Sequence, residues 1–385
     1  MRISAKAVAA AASIALLVSA CGGSDNSGSS ARGTSTGAAD TASATGAAKK
    51  KIKIAYIYVA GTSDAGWTKK HDDGRKAMEK ELGTKVEVTT FENVQEGASS
   101  ERIFEDLAKQ NYDLVFAASF GYGDQMLEVA TKYPGTCFEW ATGYKTSSNM
   151  GTYFGAAEEA RYLSGIAAGK ATKNGKVGYV AAFPIPEVIR GINAFTLGVR
   201  SVSPTATVQV GWTSTWFNPT IERQVADTLL VGGVDVITQH QDTPSTGIIA
   251  EARGAKWVGY NDDMSSFAPQ AWLTAPSWDW SAYYTKTAQS VLAGTCPNSQ
   301  YYGDMADGLV TLAPFGSSVD KATQDLIALK TKDIKAGTFK VFTGPVKDQA
   351  GQTRIAAGQA ESLEKLLSMD YFVEGVLGAI PKASA

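Results

Sequence analysis

An α/β class, with parallel sheets in two lobes, is what this sequence predicts, on three observations. From residue 53 onward, β-rich apolar runs alternate with stretches of helical period. That alternation starts again with the same rhythm near residue 158. The span 51–385 is long for one core and comfortable for two. Strand-helix alternation implies parallel strands joined by right-handed crossovers, so the expectation is two Rossmann-like lobes facing across a cleft.

The elements follow in order. Residues 53–59 are a β-rich run closed by Ala60-Gly61, 68–82 are helix-like, and 85–90 are a second strand. Residues 101–109 read as a helix and 113–118 as a buried strand. In the second unit, 158–170 are helical with small residues suited to close packing, 176–181 a strand, 188–199 a helix and 207–210 a strand. A helix over 222–231 and strands over 234–238 and 256–260 complete it. Ligands of such sheets bind at the carboxyl ends of the strands, here Gly61, Ser119 to Gly121, Trp140, Trp212 to Phe217, Gln239 to Asp242 and Asn261.

The N-terminal segment predicts export. Arg2 and Lys6 precede an apolar run over 7–18 that is too short to span a bilayer as a mature helix. Residues 1–20 therefore read as a signal peptide. Its end, Leu17-Val18-Ser19-Ala20-Cys21, resembles the bacterial lipoprotein signal, in which the cysteine becomes the new N-terminus and carries acyl chains. Residues 22–50 are rich in Ser, Gly, Ala and Thr and cannot bury enough surface to offset chain entropy, so 21–50 are expected to be a flexible tether. With Cys21 given to lipid, Cys137 and Cys296 remain. An even pair in an exported protein allows a disulfide, with two buried thiols as the alternative.

Composition and motifs narrow the chemistry. A net charge of -2 gives no footprint for nucleic acid, and a helix-turn-helix has no place beside an export signal. Only His71 and His240 are available to a histidine-based triad. Gly121-Tyr122-Gly123-Asp124 opens like a dinucleotide fingerprint but lacks its third glycine. His71-Asp72-Asp73 cannot converge on one metal ion, because neighbours on a helix point in different directions. No metal or cofactor is expected. What stands out instead is aromatic rings beside short polar groups at strand ends: Trp67, Phe120 with Tyr122, Trp216, Tyr260-Asn261, and Trp278-Asp279-Trp280. Rings flanking a slot favour a flat ligand, and Asp and Asn edges supply the directional hydrogen bonds.

Three segments carry a resemblance. Ile54-Ala55-Tyr56, followed by Asp64-Ala65-Gly66-Trp67-Thr68 and Gly74, is similar to the opening strand, loop and helix of the basic membrane protein family, the substrate-binding lipoproteins of ABC transporters. Glu159-Ala160-Arg161-Tyr162-Leu163-Ser164-Gly165-Ile166-Ala167-Ala168-Gly169 resembles its Glu-x-x-Tyr-Leu-Ala-Gly-x-x-Ala-Gly segment, and residues 341–348 its closing strand and turn. The resemblance implies a type I periplasmic-binding-protein fold. It places the N-terminal lobe at 51–151 with a return over about 272–300, and the second lobe at 152–271 with about 301–385. Trp67 stands where the family has a phenylalanine, Thr68 where it often has an asparagine that touches ligand, and Trp216 where its nucleoside receptors place a stacking phenylalanine. Asp124 matches a ligand-contacting aspartate, and Asn261 stands near an aspartate position. Trp278 and Asp279 fall where those receptors have a lysine.

The resulting expectation is a monomeric lipoprotein on the outer face of the cell membrane. It captures a purine base or nucleoside between Trp67 and Trp216, with Thr68, Phe120, Tyr122, Asp124, Asp242, Asn261 and Trp278 as further contacts. Closure is then read by a membrane permease and its ATPase. Two rival readings stay open: a receptor that presents its ligand to a signalling protein, and a lipid-anchored enzyme on a Rossmann-like scaffold.

Overall fold

A computed structural model describes residues 46–382. The signal segment 1–20, Cys21 and the tether up to residue 45 lie outside the described residues. The remainder of the expected tether does not stand free. The amides of Gly46 and Lys49 donate to the carbonyls of Gly294 and Leu292, at 2.6 and 2.7 Å, the latter an acceptor that a helix end leaves open.

The first unit runs β1 (Ile52–Tyr58), α1 (Trp67–Leu82), β2 (Val86–Phe91), α2 (Ala98–Lys109), β3 (Leu114–Ala118), α3 (Gly123–Lys132), β4 (Cys137–Ala141) and β5 (Met150–Gly155). The second runs α4 (Ala157–Ala171), β6 (Lys176–Ala181), α5 (Pro186–Val202), β7 (Thr207–Trp212), α6 (Pro219–Val231), β8 (Val236–Gln239), α7 (Ser245–Ala252), β9 (Lys256–Val258) and β10 (Trp272–Thr274). The chain then passes through β11 (Pro276–Trp278), α8 (Ser281–Leu292), β12 (Gln300–Gly303) and β13 (Val310–Leu312). After α9 (Lys321–Lys335) come β14 (Val346–Lys347), β15 (Thr353–Ile355), α10 (Leu363–Leu367) and β16 (Val376–Leu377).

Two six-stranded sheets result, ordered β12-β5-β4-β3-β1-β2 and β10-β9-β8-β6-β7-β16. Their strand pairs are parallel, as in the register Ile54↔Leu114 and Tyr56↔Phe116. Helices cover both faces, so a central strand such as β3 is a continuous buried run, Leu-Val-Phe-Ala-Ala, without alternation.

The chain crosses between the lobes at β5 to α4, at β11 to α8 and at β12 to β13. The strands β11 and β13 at the last two crossings pair antiparallel. The expected return at Trp272 needs correcting. Trp272–Thr274 extends the second sheet beside β9, and the chain rejoins the first lobe only with α8 and β12. Three-residue strands carry too little periodicity to show which sheet they join. Cys137, at the start of β4, is bonded to Cys296, just beyond α8, with Cα atoms 5.3 Å apart. Both belong to the first lobe.

In the second lobe α4 and α5 meet backbone to backbone. A methyl group on Gly198 would lie 2.1 Å from the Tyr162 carbonyl oxygen, and one on Gly165 only 2.3 Å from that of Phe195. Neither position has room for a side chain, and the pair is locked by shape.

Candidate functional site

The carboxyl ends of both sheets open on one space. It is narrow and is lined by Val59, Trp67, Ser119, Phe120 and Thr142 from the first lobe and by Glu187, Trp216, His240, Asp242, Tyr260 and Asn261 from the second. Each first-lobe residue but Trp67 sits one or two positions past the end of β1, β3 or β4, where a parallel sheet presents its loops.

Trp67 is held from two sides. Asp64 accepts the amide hydrogens of Gly66, Thr68 and Lys69 at 2.7–3.0 Å, which satisfies the free N–H groups at the start of α1. The indole Nε1 donates to the Ala118 carbonyl at 2.8 Å, and its ring meets Trp278 and Trp280 edge-on. Trp216, in the loop after β7, is looser. It is half-buried, with its ring 4.9 Å from Phe183 and 6.2 Å from His240.

The polar end of the space is a relay. Trp278 Nε1 donates to Asn261 Oδ1, and Asn261 Nδ2 donates to Asp242 Oδ1, both at 2.9 Å. The Asn261 amide is therefore orientated by its neighbours, on a backbone of φ 70° that an Asn tolerates. Burial, reinforced by the carboxyl of Asp64, holds the Asp242 carboxyl well above the usual carboxylate range. Opposite, His240 Nε2 lies 3.3 Å from Glu187 Oε1. Burial pushes His240 down to about 4 in spite of Glu187, so the imidazole is neutral at pH 7.

Across the mouth, Lys69 and Lys70 of α1 pair with Asp262 of the second lobe at 2.7 and 3.6 Å. A wider groove adjoins the space, sharing Phe120, Thr142 and Glu187 as walls and continuing along Arg190 and Tyr302.

Five of the expected contacts, Trp67, Phe120, Trp216, Asp242 and Asn261, come together here. Four lie elsewhere. Thr68 is buried in the first turn of α1, one residue past the wall. Tyr122 turns into the core, where its hydroxyl donates to the Val94 carbonyl at 2.7 Å. Asp124 faces solvent at the start of α3 and pairs with Lys145 at 2.8 Å. Trp278 is fully buried behind Asn261 and Trp67 and positions both. Glu187 and His240 also line the space and were not among the expected residues. The one sequence cue is Glu187 following Pro184-Ile185-Pro186 at a strand-to-helix turn. Among the described residues no group of three or more His, Cys, Asp or Glu side chains is placed to hold a metal ion, and no helix is long and apolar enough to cross a membrane.

Aromatic walls with a fixed amide, a buried carboxyl and a carboxylate-imidazole pair can stack a ring and read its edge. Residues 51–340 match the family of PnrA-like ABC transporter substrate-binding proteins. The chain is 42% identical, over 87% of its length and 95% of the relative's, to a purine-binding protein of Brucella abortus. It is 38% identical, over 91% of its length and 86% of the relative's, to a Haloferax volcanii protein named provisionally as an ABC transporter glucose-binding protein. An ABC transporter nucleoside-binding protein of Lactococcus lactis is 25% identical over 56% of this chain and 62% of its own. Among solved structures, an ABC transporter solute-binding protein of Aeropyrum pernix superposes with a TM-score of 0.65 at 17% identity, covering 83% of this chain and 98% of its own. One of Conexibacter woesei gives 0.62 at 18% identity over 75% and 98%. These two show the type I solute-binding fold. With a family match across most of its length, the chain belongs to the Bmp family of ABC transporter substrate-binding proteins.

Proposed function

We propose that this substrate-binding protein captures a purine base, in preference to its nucleoside, by closing its lobes around it and presenting it to the permease and ATPase of its importer. One observation carries the reading: Trp67, Phe120 and Trp216 reach one narrow space from opposite lobes, with Asp242, Asn261 and Glu187 at its edges. Flat rings stack on such walls, and fixed polar groups choose among flat ligands. The purine-binding relative supports the ligand class. The preference for a base is supported by Trp278 and Asp279, which stand where nucleoside receptors of the family carry a lysine. Trp278 is buried behind Asn261, and Asp279 accepts from Ser281 at the start of α8.

Calorimetry with adenine, hypoxanthine, adenosine, inosine and glucose tests this. Adenine or hypoxanthine should bind most tightly. Tighter nucleosides would move the sugar into the adjoining groove, and glucose binding without purine binding would overturn the reading. We propose further that Cys21 carries a lipid anchor and that the protein acts as a monomer. A Cys21→Ser variant that remained in the membrane fraction would rule out the anchor.

A further inference from the structure

Behind the ligand space, three buried polar atoms point at one spot. A methyl built on Gly191, in the middle of α5, would lie 3.3 Å from Tyr179 Oη, 3.6 Å from Arg161 Nε and 3.7 Å from His240 Nδ1, and these are its nearest neighbours. None of the three atoms has a hydrogen-bond partner among the described residues. Their residues are buried, at 0%, 0% and 5% exposure. Arg161 is clamped elsewhere: Nη1 donates to the Gln239 carbonyl at 2.9 Å, and the guanidinium carbon lies over the Tyr260 ring, 3.6 Å from its centroid. Unpaired polar groups this deep are costly, so a spot that lacks a side chain and is walled by three of them calls for a small polar occupant.

The chemistry of the three selects the occupant. Arg161 Nε–H can only donate. His240 Nε2 lies 3.3 Å from Glu187 Oε1, and in the neutral tautomer that turns its hydrogen towards that oxygen Nδ1 can only accept. Tyr179 can do either. A water molecule accepts from arginine, donates to histidine and takes the tyrosine as third partner, the usual valence of an internal water. Chloride would only accept and would face the Nδ1 lone pair. We propose that a structural water beside Gly191 locks His240 as the Nε2–H tautomer, and that Arg161, Tyr179 and Gly191 are thereby positioning residues for Glu187 in ligand recognition. The water itself does not depend on which ligand binds. The link to recognition rests on the reading of the adjoining space as the ligand site.

Three measurements test it on the purified protein. Gly191→Ala would, from helix propensity alone, raise the ligand-free melting temperature by about 2 °C. Displacing the water should lower it instead. Tyr179→Phe adds no volume and should lower it too, whereas a hydroxyl with nothing to bond would leave it unchanged or higher. Nitrogen-15 spectra should show His240 protonated on Nε2 and unprotonated on Nδ1, an assignment eased by there being only two histidines. An Nδ1–H tautomer, or a rise in melting temperature for both variants, overturns the proposal. A chloride dependence of the wild-type melting temperature that vanishes in Gly191→Ala would assign an anion instead and also overturn it. With adenine as probe, Gly191→Ala should bind about three- to tenfold more weakly, the net worth of one hydrogen bond. Unchanged adenine affinity would refute the positioning role. If the wild type binds no adenine at all, the purine reading fails, while the melting and tautomer results still decide the water.

Discussion

Replacing Trp216 by alanine separates ligand stacking from folding better than any other change in the cavity. Trp67 is a poor choice. It is 9% exposed, bonded to Ala118 and wedged against Trp278 and Trp280, so its truncation costs about 3–5 kcal/mol of stability, and a loss of binding would be ambiguous. Trp216 is half-buried on a loop, with Phe183 and His240 as its ring contacts. Its removal opens a wall rather than a core, and the ligand-free melting temperature should fall by no more than about 2 °C. The ligand loses one stacking face, worth about 1–3 kcal/mol in nucleic-acid binders, which is roughly five- to 150-fold in affinity. Trp216→Phe keeps a ring in place and should stay within about threefold of wild type. Adenine calorimetry on the three proteins, beside ligand-free melts, reads both quantities. If Trp216→Ala binds adenine within twofold of wild type, stacking is not what holds the ligand, and the inference from the aromatic walls fails.

Other outcomes follow from features around the cavity. Burial lifts the Glu139 carboxyl from 4.5 to about 8, so the folded protein keeps a proton that the unfolded chain releases. That contribution is complete below about pH 4.5 and is lost as the pH rises to about 8. Glu139→Gln should therefore raise the melting temperature at pH 8 and lose that advantage towards pH 5; the same gain at both would remove Glu139 as the cause. Replacing Cys137 and Cys296 together by serine opens a loop closed across a sequence separation of 159 and should cost about 2–5 kcal/mol in denaturant unfolding. Adenine affinity should stay within twofold, because the bridge lies in one lobe. Asp262→Ala removes the partner of Lys69 and Lys70 across the cleft, and should weaken adenine binding about two- to fivefold, more at low salt than at high. Solution scattering of the ligand-bound variant should show a larger radius of gyration than wild type at equal occupancy, and an identical value would free the latch of any role in closure.

Much of the fold was legible because its signals are local and periodic. Five apolar residues in a row at β3 and the small-residue stretch of α4 need only their own segments to be read. Trp67, Phe120, Trp216, Asp242 and Asn261 were found by a geometric rule, that parallel strands deliver their ends to one rim. The rule does not resolve single positions. Phe120 faces the cleft while Tyr122, two residues on in the same 3-10 turn, points into the core. Asp124 begins the next helix on its solvent side. The Glu187–His240 pair was invisible for another reason. Its members belong to α5 and to the end of β8, and no local pattern marks a contact made by folding. Trp278 lies one layer behind the lining of the space, since its ring fills a position that only the packed neighbours define.

The contact of α4 with α5 bears on how this protein can change over evolutionary time. Gly165 and Gly198 leave no space for even a methyl group, so mutation there is closed off by backbone collision. The same helix pair carries Arg161 on α4 and Glu187, Arg190 and Gly191 on α5, ahead of the helix contact at Gly198. Trp216, on the loop after β7, faces the ligand space from outside that helix pair, and can therefore vary without touching the contact.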